Sequence, residues 1–312
     1  MLLFLAAIIG GIVALTYSAD RFVEGASGVA LKFNISPLVV GMTIVAVGTS
    51  APEVLVSVMA VTSGVPDIAV GNAVGSNIAN IGLALGISAL VLAIPLARRV
   101  RTHALPALLG ITALGTLIAL DGALTRADAV IILIAGALAT WYASKGHDAE
   151  EIPEGADQAT LAKSLILLLV GLAILLASAR LLVWGASELA LSLGVPEVIV
   201  GLTIVAIGTS LPEVAASVAG ALKGQAEIAI GNVVGSNIFN IGGVFAVAGL
   251  LANVSIQPAS LIRDFGLMLG LTALLCLWAW VRGDRARISR GPGLLLLAIY
   301  LSYLGCLAWS SL

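Results

Sequence analysis

The chain has 312 residues, 60% of them hydrophobic and 10% charged, with a mean hydropathy of +1.13 and a formal net charge of -2. A water-soluble domain usually has about a quarter of its residues charged, so this composition excludes one, and it offers no basic surface to nucleic acid. The two cysteines, Cys276 and Cys306, lie in apolar runs and read as small apolar filler.

Apolar stretches long enough to cross about 30 Å of hydrocarbon recur along the chain. They predict ten transmembrane helices at 2–31, 38–61, 68–94, 104–120, 127–143, 162–193, 198–221, 227–251, 261–281 and 293–311. Strand-period alternation is absent, so a β-barrel is not expected. The first stretch lacks a basic n-region and continues as a long helix, which argues against a cleavable signal. That helix carries Asp20, Arg21 and Glu24, where an Asp20–Arg21 or Glu24–Arg21 interaction near the inner interface is expected; Arg180 occupies the position matching Asp20.

The second helix contains GTSAPE (48–53) and the third contains GNAVGSNIAN (71–80). The hydrophilic segment SKGHDAEEIPEGADQAT (144–160) reads as a solvated tether, lacking the Asp spacing and turn glycine of a Ca2+ loop. Beyond it the first half recurs at an offset of 160. PLVVGMTIVAVGTSAPEVLVSV (37–58) matches EVIVGLTIVAIGTSLPEVAASV (197–218) at 14 of 22 positions, and DIAVGNAVGSNIANIG (67–82) matches EIAIGNVVGSNIFNIG (227–242) at 12 of 16. The chain is therefore read as a duplication, with a first five-helix repeat at 1–143 and a second at 161–312. Five is odd, so the second repeat enters the membrane from the opposite side. The expected fold is an all-α membrane protein of ten transmembrane helices in two inverted five-helix repeats. Trp278, Trp280 and Trp309 near span ends read as interface anchors.

Lys and Arg set the orientation. With both termini outside, the inner loops hold Lys32, Arg98, Arg99, Arg101, Lys145, Lys163, Lys223, Arg282, Arg285, Arg287 and Arg290, against Arg126 and Arg263 outside. This bias predicts a multi-pass cell-membrane protein with external termini.

The repeated motifs carry the chemistry. Pro52 and Pro212 cannot donate the helical hydrogen bond, so they break their helices and free the carbonyls of Gly48 and Gly208 beside the hydroxyls of Thr49, Ser50, Thr209 and Ser210. Glu53 and Glu213 place a carboxylate inside the bilayer, with no Lys or Arg in the second, third, seventh or eighth span to pair with them. Such residues usually mark an ion pathway. On the third and eighth helices, Ser76 and Asn80, like Ser236 and Asn240, lie four apart on one face. Gly71-x-x-x-Gly75 and Gly231-x-x-x-Gly235 permit close helix packing. Asn72, Asn77, Asn232 and Asn237 read either as caps of the helix breaks or as the outer shell of the site. An all-oxygen cage with two carboxylates suits Ca2+, with Na+ able to compete for the same oxygens. The absence of His and Cys nearby argues against zinc, copper or iron. No hydrolytic motif appears in the spans, so no enzyme activity, cofactor or obligatory protein partner is expected.

Paired GTS-[AL]-PE and GN-x-VGSNI-x-N motifs in two five-helix halves closely resemble the cation/Ca2+ exchanger superfamily, specifically its Na+/Ca2+ exchanger branch, in a compact prokaryotic form. The resemblance covers essentially the whole chain. It implies four cation sites enclosed by the second, third, seventh and eighth helices, with long first and sixth helices sliding across that core. The ligands it implies are Ala46 and Ala206 through their carbonyls, Thr49, Ser50, Glu53, Ser76, Asn80, Thr209, Ser210, Glu213, Ser236 and Asn240. It further implies Na+ and Ca2+ as transported ions, three Na+ moving against one Ca2+. Some relatives have Asp where this chain has Asn240, which argues against K+ co-transport and leaves the fourth cation position open. The alternative is an antiporter driven by H+, or one carrying another divalent ion such as Mn2+. The H+-coupled branch typically has a GNATE-like motif where this chain reads GNAVGSN.

Overall fold

A computed structural model describes residues 1–145, 160–196 and 200–310, so the expected tether at 144–160 falls almost wholly outside the described residues. Among the described residues, eight apolar helices long enough to cross a membrane and two bent pairs make ten spans. They are α1 (Leu2–Lys32), α2a and α2b (Pro37–Thr49 and Ala51–Thr62), α3 (Pro66–Val91), α4 (Val100–Ala119), α5 (Arg126–Ala143), α6 (Leu161–Ser192), α7a and α7b, α8 (Ala226–Leu251), α9 (Pro258–Arg285) and α10 (Arg290–Ser310). The described part of α7a comprises Gly201–Val205 and Ala206–Thr209, and α7b is Leu211–Leu222.

Local chemistry sets the ends. Pro37, Pro66 and Pro258 lie in first turns, where a missing N–H removes no helical bond. Thr125 and Asp128 close a reciprocal capping box on α5. Among the described residues six π-helical turns interrupt the spans, including Gly41–Val45 and Gly201–Val205, and Asn80–Leu85 and Asn240–Phe245. These two pairs obey the offset of 160, and nothing in hydrophobic periodicity announces them.

The chain is nearly all helical, as expected, with two short ladders besides. Four two-residue strands, β1 (Ile94–Pro95), β2 (Ala123–Leu124), β3 (Val254–Ser255) and β4 (Arg287–Ile288), pair antiparallel as β1–β4 and β2–β3. The third span consequently ends at Val91 rather than 94, because Leu92 turns extended and feeds β1. Each ladder joins the end of a span in one repeat to a loop of the other, reinforced by Leu96 N–H to the Ala286 carbonyl (2.9 Å) and Ile256 N–H to the Gly122 carbonyl (2.8 Å).

Helices α1 and α6 cross through matched glycines. A Cβ built on Gly11 would lie 3.0 Å from Leu182, and one on Gly171 would lie 2.7 Å from Phe22. One on Gly25 would lie 2.3 Å from Leu168, and one on Gly185 2.9 Å from Ala7. Only hydrogen as a side chain allows these backbones so close. The polar residues of α1 behave partly as expected. Arg21 pairs with Glu24 at 2.9 Å, but Asp20 reaches instead to Lys223 at the end of α7b, 2.8 Å away. Arg101 pairs with Asp284 beside the β1–β4 ladder, on the face where the arginines gather.

Candidate functional site

The site forms where α2 and α7 break. Ser50 (φ -85°, ψ 6°) and Ser210 (φ -88°, ψ 0°) leave helical geometry, and the half-helices bend by 42° in α2 and 52° in α7. Pro52 and Pro212 sit in the first turn after each break, as their missing N–H groups require. Glu53 and Glu213 therefore occupy the first turns of α2b and α7b. That end of a helix presents its partial positive charge to a carboxylate.

Both glutamates are buried, at 0% and 1% exposure, and no described Lys, Arg or His pairs with them. Neither carboxylate oxygen of Glu53 has a hydrogen-bond partner; for Glu213, Oε1 accepts from Ser50 Oγ at 3.0 Å and Oε2 has none. Ser76 and Glu213 neighbour Glu53, while Ser50 and Thr49 neighbour Glu213. The carboxylates thus neighbour each other, with Ser76 beside Glu53, and Glu213 takes its hydroxyls, Ser50 and Thr49, from the opposite repeat. Around them Ser210 Oγ, Ser236 Oγ and both side-chain polar atoms of Asn80 and Asn240 are buried without a protein partner. Leaving one such group unsatisfied typically costs about 1–3 kcal/mol. Oxygens left this way are free to accept from or coordinate a further group. Among the described residues no three His, Cys, Asp or Glu side chains gather, so the donor set is two carboxylates with hydroxyl, amide and carbonyl oxygens. Such oxygens favour hard cations over transition metals.

The expected ligands Ala46, Thr49, Ala206 and Thr209 line the last turns of α2a and α7a, but unequally. Ala46 and Thr49 are fully buried, whereas Ala206 is exposed and Thr209 half-buried. Thr49 Oγ1 donates to Asn232 Oδ1 at 3.2 Å; Thr209 Oγ1 donates to the carbonyl of Ala206 at 3.2 Å.

The four asparagines whose role the sequence left open divide into two kinds. Asn72 Nδ2 donates to the Glu53 carbonyl (3.0 Å) and Ser57 Oγ (3.1 Å), and Asn232 Nδ2 to the Glu213 carbonyl (3.2 Å) and Ser217 Oγ (3.0 Å). These two hold the half-helix that carries each glutamate. Asn77 Nδ2 donates to the Asn237 carbonyl at 3.2 Å, and Asn237 Nδ2 returns the bond to the Asn77 carbonyl at 3.4 Å. That reciprocal pair ties α3 to α8 at the pseudo-two-fold axis. Ser57 and Ser217, both fully buried, were missed by the sequence reading. Their signal was present, a serine one helical turn after each glutamate, repeated at the same offset.

A separate cleft lined by Asp67, Val70, Gly71, Val74, Gln257 and Asp264 flanks the start of α3 and does not include the glutamates. Beside it, Asp264 accepts from Arg263 Nε at 2.7 Å and from the Tyr303 hydroxyl at 3.0 Å, which satisfies it within the protein.

Comparison with known proteins agrees with this architecture. The family profile described as sodium/calcium exchanger protein matches residues 3–144 and 163–309. The chain is 43% identical to a putative antiporter, CaxA, of Alkalimonas amylolytica, over 94% of this chain and 95% of the relative. It is 30% identical to the sodium/calcium exchanger MaX1 of Methanosarcina acetivorans, over 94% and 95%. Its fold superposes on the solved structure of the sodium-calcium exchanger NCX_Mj with a TM-score of 0.85 at 35% identity, covering 97% of this chain and 98% of that one. With ten spans in two inverted repeats around a buried pair of glutamates, and a profile match at both halves, the chain belongs to the sodium/calcium exchanger protein family.

Proposed function

We propose that the chain is a secondary active antiporter that exchanges Na+ for Ca2+ by alternating access. The observation that carries this reading is the pair of buried carboxylates, one from each repeat, with oxygens unsatisfied by the protein. Two unpaired buried charges are strongly unfavourable unless a cation compensates them. One Ca2+ cancels their charge and accepts the six to eight oxygens that the cage can supply. Na+ competes for the same oxygens but needs more than one ion to match the charge, so the two substrates exclude each other. Three Na+ would leave the site one charge more positive than one Ca2+, making the exchange electrogenic.

The ligands in this reading are Glu53, Glu213, Ser50, Ser210, Thr49, Thr209, Ser76, Ser236, Asn80 and Asn240, with the carbonyls of Ala46 and Ala206. Both termini lie outside the cell and the arginine-rich face is cytoplasmic, in keeping with the Lys and Arg bias. The half that leaves Ala206 and Thr209 accessible then faces outward.

The test is Ca2+ uptake into proteoliposomes under an imposed Na+ gradient or an imposed pH gradient. Uptake that follows outward Na+ and responds to membrane potential is expected. Uptake that ignores Na+ and follows pH would replace this reading by an H+-coupled one.

A further inference from the structure

The inverted repeat supplies two equivalent interfaces, and the structure holds them in different states. On the arginine-rich side α2a lies directly on α8. A Cβ on Gly235 would fall 2.3 Å from the Met42 carbonyl oxygen, one on Gly231 2.6 Å from the Leu38 carbonyl oxygen, and one on Gly41 2.7 Å from the Ile228 carbonyl oxygen. The Thr49–Asn232 hydrogen bond closes the same seam beside the carboxylates.

On the opposite side the equivalent residues are Gly75, Gly71 and Gly201, at an offset of 160. Among the described residues, no atom lies within 4 Å of a Cβ built on any of the three. Gly71 and Gly201 are exposed, whereas Gly231 and Gly41 are buried. The cross-seam hydrogen bond is absent too: Thr209 reaches the Ala206 carbonyl, as Thr49 also reaches that of Ala46, but Asn72 holds only the Glu53 carbonyl and Ser57. The seam that is open belongs to the more sharply bent pair, α7a and α7b. No described residue packs against these three glycines in this conformation.

We infer that Gly71 and Gly75 on α3 are the landing surface for Gly201 on α7a, and that Thr209 and Asn72 form the latch of that seam when the site closes to the outside. The inference rests on the antiporter reading and deepens it. The two seams alternate: while one is packed, the other is open, and a side chain harmless in this state collides in the other. By the distances of the packed seam, the penalty falls in the order Gly75, Gly71, Gly201.

The test uses the full chain in lipid nanodiscs and proteoliposomes. Gly75→Ala should fold and bind Ca2+ within about threefold of the parent, because no described residue stands within 4 Å of its Cβ. Exchange across the liposome should fall at least tenfold, with Gly71→Ala less affected. Amide exchange over residues 203–209, slowed by saturating Ca2+ in the parent, should stay fast in Gly75→Ala. Exchange at the parental rate with parental amide protection in Gly75→Ala would overturn the inference, and so would loss of Ca2+ binding together with transport. If the parent itself fails to exchange Na+ for Ca2+, the antiporter reading fails instead. The amide comparison, run with whichever cation raises the parent's thermal midpoint, then still decides the landing surface.

Discussion

Replacing Glu53 by Gln changes the charge of the site and almost nothing of its shape, since the side chains are isosteric. Glu53 is fully buried and neither carboxylate oxygen has a protein partner, so no other contact is broken. At an effective dielectric of about 20, two unit charges about 4 Å apart attract by about 4 kcal/mol. A divalent ion therefore loses about 8 kcal/mol of gross attraction and a monovalent ion about 4 kcal/mol. The variant also escapes the desolvation cost of a carboxylate, several kcal/mol, but that saving is the same whichever ion binds. The difference between ions, about 4 kcal/mol, survives this correction and corresponds to roughly a thousandfold shift in relative affinity. Glu53→Gln should thus lose Ca2+ binding far more severely than Na+ binding, and with it Ca2+ transport. The assay is calorimetric or thermal-shift titration of the purified parent and variant with each ion. Equal loss of Ca2+ and Na+ affinity would refute the reasoning, and undiminished Ca2+ exchange would refute the site itself.

Two structural predictions accompany it. Asn77 and Asn237 each donate to the other's backbone carbonyl, which alanine keeps, so each Asn→Ala change should lower stability by about 1 kcal/mol, the net value of a typical buried hydrogen bond, and the double change by about the sum, in denaturant or thermal unfolding. Gly136 faces Gly242 so closely that a Cβ on it would stand 2.5 Å from the Gly242 Cα, so Gly136→Val should destabilise by at least about 1–3 kcal/mol, whereas Gly110→Val, where a Cβ meets nothing, should lower the thermal midpoint much less.

Much of the architecture was legible because a bilayer leaves few options: ten apolar runs must be ten helices, and an odd-numbered repeat must invert. The glutamates were legible for the same reason, since a charge without a partner inside an apolar span needs an explanation. What pattern could not reach was geometry set by tertiary contact. The π-helical turns at Asn80 and Asn240 change the hydrogen-bond register without changing the hydrophobic pattern. The Asp20–Lys223 pair joins residues far apart in sequence, so a local reading offered Arg21 to Asp20 or to Glu24, of which only the second holds. Ser57 and Ser217 looked like ordinary small residues until Asn72 and Asn232 were seen to hold them. The difference between Gly75 and Gly235 was the least accessible of all, because two closely matched motifs carry no record of which conformation the chain has adopted.

The two short ladders lead back to how such a chain arose. Ile94–Pro95 and Val254–Ser255 are the same strand at an offset of 160, and each finds its partner in the other repeat, at Arg287–Ile288 and Ala123–Leu124. A single repeat would have its strand and no edge to receive it. Two separate copies lying antiparallel in one bilayer would complete each other at both faces, one stitch on each side. Fusion of those copies would keep both stitches while fixing their orientation, after which the two faces were free to diverge, one gathering arginines and the other not.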